Sequence, residues 1–320
     1  MTRGRNWDTG RISDAQLKEI DAEVQSFANN PVQSPYKDLF SEVGRRADKI
    51  GKWMHLVDTS SDSTERKHLS QAVENAANTV FEFLPNSKTE TLLADLRASF
   101  RYGRGIVIPT GSKTVRFACH LLVSLQEAIR TTLPIEIAYA GDRDLLPADR
   151  ERLRNRFKDL RFLDVSAAFG DSDSILGLRE GNWAIKPFAA LASSFEEVIL
   201  VDADAVFLQP PEAMFKQAAY GDTGTLFFHD RLLWQHAFES RHQWWRSQIT
   251  HPSPALNKSL VWTEDYAEEG DSGVVVLDKS RVGVVAALLH VCWQNTQAVR
   301  DEVTYKLTYG DKELGGLASS

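Results

Sequence analysis

Cysteine is almost absent: Cys119 and Cys292 are the only two among 320 residues. A disulfide-stapled small domain is thereby excluded. Cys119 falls inside an apolar helical pattern and Cys292 beside Trp293, so both read as buried free thiols. Long apolar runs are also missing. No window approaches the roughly 20 residues that a bilayer-spanning helix requires. The start, Met1-Thr2-Arg3-Gly4-Arg5-Asn6-Trp7, lacks the apolar core of a secretory signal. There is no long basic run, and the net charge of -7 argues against nucleic acid as the main partner. Neither a Walker loop nor GxGxxG occurs, and no internal repeat supports a solenoid.

What is present is the composition of a globular protein, with 42% hydrophobic residues to build a core. Residues 1–100 read as a polar, mainly helical extension. Ser13-Asp14-Ala15-Gln16 precedes Leu17, Ile20, Val24 and Phe27 at helical spacing, and Leu69, Val73, Ala76, Ala77 and Val80 form a second stripe. From Gly105 the pattern changes to alternating strands and helices. Gly105–Pro109, Pro134–Tyr139 and Leu160–Val165 read as buried strands. Thr110-Gly111-Ser112 reads as a turn and N-cap, Pro147–Phe157 as a helix, and Pro187 as the first turn of a helix through Phe188, Leu191 and Phe195. This alternation predicts an α/β fold with a mostly parallel sheet flanked by helices. Leu226-Phe227-Phe228 and Val274–Leu277 add two further strands, with an irregular insertion over 231–269 between them.

The most informative stretch is Glu197-Val198-Ile199-Leu200-Val201-Asp202-Ala203-Asp204. Four aliphatic residues in a row fit a strand covered on both faces, and two carboxylates follow at its carboxyl end, where open α/β sheets bind ligands. On a continuing strand, side chains two apart share a face, and paired carboxylates are hard ligands suited to Mn²⁺ or Mg²⁺. A transferase using a nucleotide sugar needs this pairing to neutralise the leaving diphosphate. A solvated turn fits the same residues, since aspartate favours turns.

Other groups could join the pair. The amides around Thr110 and Gly111 could accept phosphates, and Lys186 could set an ammonium against a diphosphate; a plain tight turn and a solvated lysine are the alternatives. Glu269-Gly270-Asp271-Ser272-Gly273 places two more acids in a flexible turn, where Asp271 or Glu269 could orient an acceptor hydroxyl or steady a positive sugar. His229, Asp230 and Arg231 end a strand with polar groups that could line the pocket. Trp234, Trp244, Trp245 and Trp262 could stack on sugar rings or simply pack, and His290 reads as a core histidine.

As an ordered set these segments resemble the fungal Golgi α-1,3-mannosyltransferase family. The matching run covers roughly Gly103 to Glu313, through GIVIPTGSKTVRFACHLLVSL from Gly105, LPIEIAYAGDRDL from Leu133, WAIKPFAAL from Trp183, SFEEVILVDADAVFLQPP from Ser194, GTLFFHDR from Gly224, GDSGVVVLDKSR from Gly270 and DEVTYKLTYGDKE from Asp301. The resemblance implies a GT-A fold over 101–313, GDP-mannose as donor, Mn²⁺ (or Mg²⁺) as cofactor, and retaining transfer to a mannosylated glycan or glycoprotein acceptor. It places Asp202 and Asp204 on the metal, Lys186 by the donor diphosphate and Asp271 by the reacting sugar. Family members carry an amino-terminal membrane helix in the Golgi, continue past TYGDKE, and there keep a histidine that completes the metal site. This sequence shows no such helix and leaves the pattern at 314–320, so the expectation is a truncated member lacking its third metal ligand. Two other readings stay open. Asp202-Ala203-Asp204-Ala205-Val206 also fits the nucleophile motif of haloacid-dehalogenase-like phosphatases, although that motif normally opens its domain. A catalytically inactive relative fits the missing end.

Overall fold

The computed structural model describes residues 12–84, 91–170, 175–178 and 183–308. The expected 314–320 tail and the amino-terminal Met1–Trp7 segment lie outside them. Helices α1 (Asp14–Asn29), α2 (Phe40–Thr59), α3 (Ser63–Val80) and α4 (Leu92–Ala98) precede the first strand. The rest alternates: β1 (Tyr102–Pro109), α5 (Val115–Val123), β2 (Ile135–Tyr139), α6 (Pro147–Arg156), β3 (Leu160–Asp164), α7 (Val165–Ala168), α8 (Ile185–Ala192) and β4 (Phe195–Val201). Then come α9 (Ala218–Thr223), β5 (Thr225–Leu233), α10 (Glu239–Gln248), α11 (Leu260–Thr263), β6 (Glu268–Asp278) and α12 (Val282–Gln294).

The six strands form one sheet in the order β3-β2-β1-β4-β6-β5. The first four are mutually parallel, β6 runs antiparallel to β4, and β5 antiparallel to β6. This is the mostly parallel α/β sheet that the sequence predicts. Its apolar strands need partners on both faces, and they have them. Val107, Val198 and Leu200 point into a core shared with α2, α3, α8 and α12, while Ile106, Ile108, Ile199 and Val201 point into one built with α5 and α6. The alternation along each strand divides consecutive apolar residues between two layers.

The amino-terminal helices share the first of these cores. Val43, Ala47, Ile50 and Met54 form the buried stripe of α2, which packs on α12. Gly51 lets the two helices approach closely, since a Cβ there would sit 3.0 Å from the Cβ of Ala286. No helix among the described residues is long and apolar enough to cross a membrane. Both cysteines are free thiols, and burial raises the pKa of each.

Four boundaries differ from the sequence reading. The N-cap of α5 is Thr114, two residues beyond Ser112. Helix α8 stops at Ala192, and Phe195 opens β4. The insertion over 231–269 begins as strand and then forms α10 and α11, ordered from within by Arg241, which donates to the carbonyls of Ala267 and Leu307. Finally, Glu268–Gly273 is strand rather than flexible turn, because pairing with β5 at Phe228↔Asp271 and His229↔Gly270 holds its backbone extended.

His290 is a core residue, as expected. It lies on α12, stacked on Trp293 at 5.8 Å and bonded to Gln294, and burial pushes its imidazole down to about 4. An unfolded imidazole takes its proton near pH 6.5, so the unfolded chain binds more protons between about 6.5 and 4. The stability held by neutral His290 is therefore present above that window and lost as pH falls through it, by about 3 kcal/mol. Urea unfolding at pH 7 and pH 4.5 should show this loss, and His290→Leu should shrink it.

Candidate active site

Strands β1 and β4 are parallel neighbours with Val107 opposite Leu200, so the loops after both emerge at the same carboxyl edge of the sheet. Val201 is the last residue of β4. The Asp202 amide still donates to the Gly273 carbonyl at 2.8 Å, but the Ala205 amide then donates back to the Asp202 carbonyl at 3.0 Å and closes a turn. The two acids are thus held at the rim by a turn, not by the two-residue repeat of a strand. Asp202 is partly exposed, and Asp204 is exposed, with no bonded partner for its carboxylate among the described residues.

Lys186 sits in the first turn of α8 and is only 6% exposed. Its Nζ lies 2.8 Å from Oδ1 and 3.0 Å from Oδ2 of Asp202, and 3.3 Å from both the carbonyl and the hydroxyl oxygen of Ser272. Lys186, expected against a donor diphosphate, forms an ion pair with Asp202. Ser272 went unnoticed in the sequence, where only its acidic neighbour had an obvious role.

The ladder bond from Asp202 to Gly273 brings Asp271 alongside. Its Oδ1 accepts from the Gly273 amide at 2.7 Å, and its backbone lies opposite Phe228 of β5. Glu269 has a different environment. It is 6% exposed, accepts from the Ser259 hydroxyl at 2.6 Å and the Val261 amide at 3.2 Å, and lies 3.2 Å from His229 Nδ1. Its carboxylate fastens the start of α11 to the sheet, which leaves Asp271 as the acid near the pair. His229 and Arg231 are exposed on β5, and Asp230 accepts from the Arg231 amide.

The amides around Thr110 and Gly111, expected to accept phosphates, have partners within the protein. The amides of Thr110, Gly111 and Ser112 donate to Ala138 O, Thr114 Oγ1 and Asp144 O. Glycine is needed at 111 because a Cβ would fall 2.3 Å from Asp144 Oδ1. Asp144, 7% exposed, in turn accepts from the Ala140 amide. The loop is shaped by its own packing, and its amides are already bonded inside the protein.

Of the tryptophans, Trp245 is buried and Trp244 donates to Lys37 O, so both serve packing. Trp262 carries Arg246 over its ring, while Trp234 is 60% exposed. Trp183, Val206 and Leu208 are also exposed, flanking Lys186 and the acidic turn in sequence. A partly open cavity of about 50 Å³ between α2, α10 and α12 is lined by residues that include Phe40, Trp244 and His290 and shares no residue with the acidic cluster.

No group of three His, Cys, Asp or Glu side chains that could hold a metal occurs among the described residues. Two rim carboxylates, one of them open to solvent, still suit a hard divalent ion that takes its remaining ligands from water and a phosphate. The DxD turn follows the fourth strand in chain order, which does not match a phosphatase motif that opens its domain.

The sequence profile of a family described as "Mannosyltransferase putative" matches residues 103–319. "Alpha-1,3-mannosyltransferase MNN1" of Saccharomyces cerevisiae is 26% identical across a 272-position alignment, gaps included, that covers 68% of this chain and 33% of that protein. "Putative alpha-1,3-mannosyltransferase MNN14" of Candida albicans is 31% identical across a 269-position alignment, gaps included, that covers 76% of this chain and 36% of that one. The chain spans about a third of the length of these relatives. Among solved structures, the galactosyltransferase LgtC with donor and acceptor sugar analogues aligns over 67% of this chain and 69% of its own, at 16% identity and a TM-score of 0.39.

Proposed function

Because the chain belongs to this mannosyltransferase family, matched over 103–319, we propose that it transfers α-mannose from GDP-mannose to a mannosyl acceptor on a glycan or glycoprotein. The carrying observation is the cluster of Asp202, Lys186 and Ser272 beside Asp204 and Asp271 at the carboxyl edge of the sheet. Asp202 and Asp204 would hold Mn²⁺ or Mg²⁺, which when bound neutralises charge on the departing diphosphate. Lys186 adds a second positive charge there, on a side chain whose burial strengthens each electrostatic contact. Asp271 steadies the positive sugar carbon as the glycosidic bond breaks, and its bond to the Gly273 amide fixes the carboxylate. Retention of configuration and a Golgi location are what the family resemblance implies.

Calorimetric titration with GDP, with and without Mn²⁺, tests this reading. Binding that requires Mn²⁺, together with release of GDP from GDP-mannose when a mannobiose acceptor is added, is the expected result. Turnover of a phosphate ester without GDP binding would transfer the site to the phosphatases, and neither activity would mark an inert relative.

A further inference from the structure

We infer that Lys186 is a resident counter-ion whose occupation of Asp202 makes capture of a divalent cation conditional on a diphosphate. The inference rests on the function proposed above and concerns how that site is regulated. Nζ contacts both oxygens of Asp202, so the acid that should ligate the cation is already neutralised. The pair is not a loose surface contact, since the lysine is only 6% exposed. A cation arriving alone meets a buried positive charge at its principal ligand and, among the described residues, no third acidic or imidazole ligand to offset it. Nζ also contacts the neutral carbonyl and hydroxyl oxygens of Ser272. A hold on Ser272 allows the ammonium to turn toward an incoming diphosphate while releasing Asp202. The diphosphate then satisfies Lys186 and supplies oxygens to the cation, so the two ligands help each other bind. By linkage, each must raise the affinity for the other by the same factor. Lys186 is thus a positioning residue for the cation as well as a contact for the donor.

The test is Mn²⁺ binding followed by electron paramagnetic resonance, with and without GDP and corrected for the Mn²⁺–GDP complex formed in solution. In the native chain, Mn²⁺ affinity should rise about tenfold or more when GDP is present. Lys186→Gln should bind Mn²⁺ alone about tenfold more tightly than the native chain, lose GDP affinity, and show weaker coupling, the remainder coming from diphosphate oxygens that reach the cation directly. Lys186→Arg, which keeps the charge, should retain the coupling. Equal Mn²⁺ affinity of the native chain with and without GDP overturns the inference whether or not the Gln variant folds. Metal-dependent GDP binding combined with unaltered Mn²⁺ affinity in Lys186→Gln overturns it while leaving the proposed function standing. Failure of the native chain to bind GDP under any condition removes both.

Discussion

Asp204→Ala should lower kcat/KM for mannosyl transfer by about 10²–10³-fold and abolish Mn²⁺-dependent GDP binding, with the melting temperature unchanged. The separation of the two effects follows from the environment of Asp204. It is exposed in the turn after β4, and its carboxylate bonds to nothing among the described residues, so truncation removes no folding contact. Asp202→Ala should behave differently. It leaves the nearly buried Lys186 ammonium without its carboxylate, so stability falls along with activity. Thermal melting and GDP titration on the two variants together separate a metal ligand from a structural anchor. Unchanged GDP and Mn²⁺ affinity in Asp204→Ala would remove the metal assignment.

The parts of the fold that could be read from sequence are those where local pattern and tertiary burial agree. Val198–Val201 and Ile106–Ile108 are consecutive aliphatic residues because both faces of those strands are covered, and they formed strands as read. The start of β6 was hidden for the opposite reason. Glu268–Gly273 has the composition of a loop, and only pairing with β5 holds it extended. The site was legible to a similar depth. Lys186 pairs with Asp202, and Asp271 bonds to the amide of Gly273, whose carbonyl accepts from the Asp202 amide. Spacing could not reveal that β4 ends before the second acid, that Asp144 fills the space beside Gly111, or that Ser259 and Val261 occupy Glu269. Each of these depends on a residue distant in sequence, which no local periodicity encodes.

The same limitation concealed a buried charge network at Glu136 and Lys279, and its disruption should be the most destabilising polar substitution in the sheet. Glu136 lies in β2, 4% exposed, and accepts from the hydroxyl of Ser193 at 2.7 Å and from that of Ser194. Lys279 follows β6, is 1% exposed, and donates to Ser193 O at 2.6 Å and Leu191 O at 3.4 Å, with Nζ 3.8 Å from the centre of the Phe100 ring. Burial pushes the ammonium down to about 7, and the charge of Glu136 opposes that shift. The two groups meet through Ser193, the residue between α8 and β4, and so fix how the lysine-bearing helix is delivered to the strand that ends at Asp202. Glu136→Ala removes the carboxylate whose charge opposes desolvation of Lys279 and leaves the hydroxyls of Ser193 and Ser194 without that acceptor. The expected loss is about 3–5 kcal/mol in urea unfolding. Glu136→Leu combined with Lys279→Met removes both charges and should recover much of that loss, because neither desolvated ion then remains. Strictly additive single-variant losses would show that the two charges do not support one another.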